Sequence, residues 1–247
     1  MIQKITYLAA FSILPLITSC NVDKEANPVK TLQFSVAEVI PVREPSGLDL
    51  TFDETGFWTV SGENSKVYLI DSWGREVKSF KVNGQDIEGI TVIDERTLAV
   101  VLERTREVVI LDTSGLELKR RKLDVEGELN MGLEGITFDP ERKRFYVLNE
   151  KKPRLLLTLD ENLNELKRDT LNFSKDVSGI YFDTVDKTLW ILSDESQRIF
   201  KTDLFGNPIE EFKIKVTKPE GITFNKTRTK LYIVSDITSN LYVFNLE

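Results

Sequence analysis

Five short stretches, each built on a glycine, hold the residues most able to do chemistry. They are Pro45-Ser46-Gly47-Leu48, Ile87-Glu88-Gly89-Ile90, Leu133-Glu134-Gly135-Ile136, Val177-Ser178-Gly179-Ile180 and Pro219-Glu220-Gly221-Ile222. Three carry a glutamate directly before the glycine: Glu88, Glu134 and Glu220. Fifteen or sixteen positions after each Ser or Glu come Gly62, Glu103, Glu150, Asp194 and Asp236, so four of five are acidic. Carboxylates brought together repel, and some are pushed to protonate unless a cation joins them. Calcium suits such a set, because it takes about 6–8 oxygen ligands in flexible geometry. Magnesium would keep more of its waters. Zinc and copper are disfavoured, because the chain has no histidine and one cysteine. The same acids would also serve as a plain solvated rim.

The spacing of the stretches says what must position them. The glycines are 42, 46, 44 and 42 residues apart. A period of about 40–45 residues is that of a β-propeller blade. Each repeat reads as four strands, A to D. In the second, Gly89 to Ile93 is A, Thr97 to Leu102 is B, Glu107 to Leu111 is C, and Leu116 to Leu123 alternates apolar and charged residues as an outer strand should. Asp112-Thr113-Ser114-Gly115 forms the hairpin turn before D. Strand A runs one way and B returns, so the start of A and the end of B share one face of the disc. That places Glu88, Glu134, Glu220, Glu103, Glu150, Asp194 and Asp236 around one mouth of the central channel. Glu63, Asp86, Asp176 and Glu195 are further candidates there.

The fifth repeat stops after its third strand. The stretch Thr31 to Val42 precedes the first repeat and has no A, B or C strand before it. The fold is therefore expected to be all-β, a five-bladed β-propeller over residues 31–247, with the N-terminal strand completing the last blade. Trp58 and Trp190 fall on B strands and are expected in the inter-blade core. Trp73 falls in a turn and is expected to be exposed.

Composition narrows the function. The net charge of −7 argues against nucleic-acid binding, which needs a basic face. The absence of histidine removes Ser-His-Asp and Cys-His catalysis. Cys20 alone allows no internal disulfide. Residues 1–19 read as a signal peptide. Lys4 precedes an apolar run, Ile5 to Leu16, that is short for a membrane span. Ile17-Thr18-Ser19-Cys20 reads as a lipobox, which makes Cys20 the lipidated residue and 20–30 a flexible tether. Asn21, where inner-membrane retention would call for aspartate, favours the outer membrane.

The glycine motifs, above all Leu133-Glu134-Gly135-Ile136-Thr137-Phe138-Asp139 and Pro219-Glu220-Gly221-Ile222-Thr223-Phe224, behind such an N-terminus, resemble the SdiA-regulated family. Its members carry NHL-like repeats. The resemblance implies a five-bladed propeller with bound calcium and no established biochemical activity. It carries the calcium to Glu88, Glu134 and Glu220 only, because Ser46 and Ser178 depart from glutamate.

Two functions follow, beside a third reading as a pure scaffold with neither metal nor ligand. One is a lipid-anchored, monomeric, calcium-binding module of the bacterial envelope that binds or scaffolds a glycan, peptide or protein. The other is a metal-dependent hydrolase, a phosphoesterase or a lactonase-like esterase, at the channel mouth. Arg104, Arg106, Lys151, Lys152, Arg154 and Arg198 lie near B–C turns and would be its phosphate contacts. Without histidine the hydrolase lacks a ready base near neutral pH, so the binding module is preferred.

Overall fold

The computed structural model describes residue 1 and residues 29–246. Cys20, the apolar run before it and most of the tether lie outside the described residues. Two short strands come first, β1 (Lys30–Thr31) and β2 (Val36–Val39). Blade 1 is β3 (Pro45–Leu50), β4 (Gly56–Ser61), β5 (Lys66–Asp71) and β6 (Glu76–Lys81). Blade 2 is β7 (Ile87–Asp94), β8 (Thr97–Leu102), β9 (Glu107–Asp112) and β10 (Glu117–Lys122). Blade 3 is β11 (Leu133–Asp139), β12 (Arg144–Asn149), β13 (Leu155–Leu159) and β14 (Glu165–Thr170). Blade 4 is β15 (Ile180–Asp183), β16 (Thr188–Ser193), β17 (Arg198–Thr202) and β18 (Pro208–Lys213). Blade 5 is β19 (Pro219–Phe224), β20 (Lys230–Ser235) and β21 (Asn240–Asn245).

The N-terminal strand does complete the last blade: β2 pairs antiparallel with β21, Val36 opposite Val243 and Val39 opposite Asn240. Only Val36–Val39 does this. β1 instead adds a fifth, parallel strand to blade 4 beside β18. In blade 4 the inner strand also starts later than the motif suggests. Ser178 and Gly179 still bond to Leu192, by Ser178 N–H to the Leu192 carbonyl and Leu192 N–H to the Gly179 carbonyl, but regular pairing begins at Ile180.

Five apolar clusters hold the ring, one at each seam. Ala99 and Val101 of blade 2 meet Phe145 and Leu157 of blade 3. Trp190 of blade 4 meets Phe224 and Ile233 of blade 5. Trp58 and Val60 meet Leu98 and Val100 across the first seam. Tyr146 and Leu148 meet Phe182 and Ile191 across the third. Phe57 and Ile70 meet Val234 and Leu241 where the ring closes. The tryptophans behave as expected, with Trp58 and Trp190 buried and Trp73 exposed. The seams supply the hydrophobic stabilisation, at about 25 cal/mol per Å² of apolar area removed from water.

Candidate functional site

The five inner strands crowd at the axis, and the motif glycines make that approach possible. A Cβ on Gly47 would lie 2.7 Å from the Ile90 nitrogen, on Gly89 2.7 Å from the Glu134 carbonyl oxygen, and on Gly179 2.4 Å from the Glu220 carbonyl oxygen. No side chain fits there. A gap of about 10 Å³ remains, lined by the glycines and by Leu48, Ile90, Ile136, Ile180 and Ile222. That is at the limit for one water. The sequence places the acids at the mouth of a central channel. The structure has a blind cup instead, floored by the glycine ring.

A bulge helps aim the residues before four of the five glycines, all but Gly179. Register shifts fall between Pro45 and Leu48, Ile87 and Gly89, Leu133 and Ile136, and Pro219 and Gly221. Bulges re-aim side chains in this way. Above the floor lies a cavity of about 490 Å³. All seven acids singled out in the sequence line it: Glu88, Glu134 and Glu220 from the inner strands, and Glu103, Glu150, Asp194 and Asp236 from the turns after the second strands. Asp86, Asp176 and Glu195 line it too, whereas Glu63 faces Arg43 at 3.5 Å on the surface.

Two groups of three carboxylates have oxygens within 4.8 Å of one another: Asp86, Glu88 and Glu103, and Glu103, Glu134 and Glu150. The closest sets are thus centred on the seam of blades 2 and 3. Among the described residues Glu220 joins neither group; Lys218 stands beside it at 3.9 Å and beside Asp194 at 3.4 Å. Lys151 likewise lies 2.5 Å from Glu150 and 2.9 Å from Glu195. The cup therefore has a lysine-bearing side, blades 3 to 5, and a more acidic side, blades 1 and 2.

The charges are costly where they stand. Burial, with repulsion from Asp86, Glu103 and Asp236, pushes Glu88 up to about 8 against a hydrogen bond from Ser46. Burial pushes Glu103 up to about 7, although the Gly132 N–H donates to its Oε1 at 3.1 Å. Burial also raises Glu134 well above the carboxylate range, reinforced by Glu88, Glu220, Glu150 and Glu103. Glu220 is raised by burial despite Lys218. Burial works against the charge on Lys151, but hydrogen bonds to Glu150 and Glu195 hold its pKa above the usual lysine value.

Sequence reasoning missed Glu44, Lys218 and Asn130, which also line the cup. A signal was available three residues before each glycine. That position reads Glu44, Asp86, Gly132, Asp176 and Lys218, charged in four blades. At Glu44, Asp86 and Lys218 the backbone is left-handed, with φ of 44°, 58° and 46°. Non-glycine residues rarely hold that conformation without a surrounding that fixes it.

Most basic residues proposed as phosphate contacts are engaged elsewhere. Arg104 pairs with Asp86. Arg106 donates to the backbone carbonyls of Glu103, Leu129 and Glu128, pinning the loop between blades 2 and 3. Arg154 donates to the Leu171 and Lys175 carbonyls. Lys152 and Arg198 pair with Glu128 and Glu211 at 3.4 Å each. Of the six, Lys151 alone lines the cup.

A family model described as SdiA-regulated matches residues 31–245. The chain belongs to the SdiA-regulated family. Solved structures extend the likeness of this SdiA-regulated chain to the fold. Glutaminyl cyclase of Myxococcus xanthus superposes with a TM-score of 0.72 at 10% identity, covering 89% of this chain and 98% of that one. A chain of a nidogen/laminin complex gives 0.60 at 17% identity, covering 83% and 77%. Virginiamycin B lyase from Staphylococcus aureus gives 0.53 at 14% identity, covering 82% and 66%. At these identities the likeness speaks for architecture alone.

Proposed function

We propose that this SdiA-regulated propeller is a membrane-anchored, calcium-binding module of the bacterial cell envelope, which presents its cup to a binding partner. One observation carries the calcium: the motif glutamates stand half-buried above the glycine floor, where they repel each other and the neighbouring carboxylates. The donors fit the ion. They are all oxygens, and a cation about 2.3–2.6 Å from each ligand holds opposed oxygens roughly 5 Å apart, which matches groups whose oxygens lie within 4.8 Å. Glu103 is common to both groups, joined by Glu88 in one and Glu134 in the other, and Glu220 adds charge from the lysine side. The bound ion favours the ionised carboxylates and so stiffens the inner strands. Lipid on Cys20 supplies the anchor, to the outer membrane by the nature of Asn21. The hydrolase alternative would use the same cup, but the engagement of its phosphate contacts disfavours it.

Thermal melting of the full chain, with chelator and then with calcium restored, tests the ion. A ligand at a hundredfold excess over its Kd stabilises the native state by about 2.7 kcal/mol. Calcium should raise the midpoint by several degrees, and Glu134→Gln should abolish the rise. An unchanged midpoint in the parent chain would remove the metal from the proposal.

A further inference from the structure

The outer strands repeat a second feature, on the face away from the cup. β6, β10, β14 and β18 each open with a bulge. The partner register skips Val77 between Glu76 and Lys78, Leu118 between Glu117 and Lys119, Leu166 between Glu165 and Lys167, and Ile209 between Pro208 and Glu210. All four skipped residues are aliphatic, and they are 59, 54, 52 and 60% exposed. A bulge protects a sheet edge, and a charged residue there protects it better. Four aliphatics in one register call for another cause. Turns on the same face add Trp73, Phe205 and Phe52. Each of these rings has a cation beside it, Arg75 at 4.9 Å from Trp73, Lys167 at 3.9 Å from Phe205 and Lys226 at 5.1 Å from Phe52, with Arg75 also paired to Asp71, Lys167 to Asp169 and Lys226 donating to the Phe52 carbonyl. Exposed apolar groups gathered on one rim mark an interaction surface.

We propose that this apolar collar seats the propeller flat on a lipid surface, with the cup turned toward water. The proposal rests on the membrane-anchor reading and adds an orientation to it. Four blades present equivalent residues at one level, which a flat partner meets together and a compact protein meets one sector at a time. Aromatic rings tipped with basic groups suit the headgroup level of a bilayer. Lys30 lies opposite Phe212 and Thr31 opposite Lys213, in parallel register at the end of β18 away from Ile209. Cys20 is ten residues upstream of Lys30.

Trp73 provides the readout, because Trp58 and Trp190 are only 4% and 7% exposed while Trp73 is 70% exposed. The full chain is mixed with vesicles of phosphatidylcholine and phosphatidylglycerol, with and without brominated acyl chains. Groups at the headgroup boundary sit within roughly 5–10 Å of the acyl region. Brominated lipid should at least halve the Trp73 emission, and Trp73→Phe should remove the quenched component. The combined variant Val77→Ser, Leu118→Ser, Leu166→Ser and Ile209→Ser should still sediment with vesicles but lose the quenching. A chain that sediments with Trp73 unquenched overturns the orientation and leaves the anchor standing. A chain that stays in the supernatant overturns both.

Discussion

Removing divalent ions should make this protein lose stability as the pH rises from 5 to 8. Unfolded, a glutamate such as Glu88 gives up its proton near 4.5; folded, burial holds it until about 8. Glu103 behaves alike, with burial holding its proton until about 7. In the window between, the folded chain keeps protons that the unfolded chain has already released. The folded state therefore weakens with each upward step, by up to about 1.4 kcal/mol per pH unit for each such group. For Glu88 alone the ceiling is about 5 kcal/mol. The acids titrate as a linked set and water in the cup screens them, so a net loss of about 2–3 kcal/mol is expected. A domain of this size shifts by about 2–4 °C per kcal/mol, which gives a fall of about 5–10 °C in Tm. The turn aspartates do not offset this. Side-chain hydrogen bonds from Ser114 and Asn164 hold Asp112 and Asp160 below their ordinary value of 3.8, so their stabilisation is lost only in more acid solution. The assay is a melt in EDTA at pH 5, 6, 7 and 8, repeated with saturating calcium. Calcium should flatten the profile, because the ion favours the ionised carboxylates. A midpoint in EDTA that is level or rising over this range would refute the electrostatic argument.

Two further substitutions probe the frame around the cup. Gly179→Ala forces a Cβ to within 2.4 Å of the Glu220 carbonyl oxygen, a backbone atom that cannot step aside; chemical denaturation should show a loss of about 2–3 kcal/mol, as overpacked sites typically do. Arg106→Met removes the donors to Glu103, Leu129 and Glu128; amide exchange should quicken at Met131 and Gly132, and stability should drop by about 2 kcal/mol.

The blade count was legible because five glycines keep a near-constant spacing, and only a ring of like units explains that. The acids of the cup were legible for a related reason. Strand direction fixes which ends meet, so Glu134 and Glu150 had to share a face once β11 and β12 were recognised. What escaped depended on contacts that spacing does not carry. The floor closes because neighbouring backbones approach Gly47, Gly89 and Gly179 more closely than a strand pattern implies. The split of the cup depends on Lys218, whose side chain reaches Asp194 in another blade. β1 escaped because two residues are too few for any periodicity, and its partner β18 is far along the chain. The bulges left Val77 and its equivalents looking like ordinary members of alternating strands.

The closing of blade 5 by β2 also sets an order of events during folding. Val36–Val39 pairs with Asn240–Val243, which lies far along the chain. The pairing cannot nucleate early, because a loop of about 200 residues must first be closed, and that entropy is recovered only when the intervening blades have condensed. Ring closure is therefore expected to come late, and removing β21 should leave blade 5 and its seam with blade 1 without a lock.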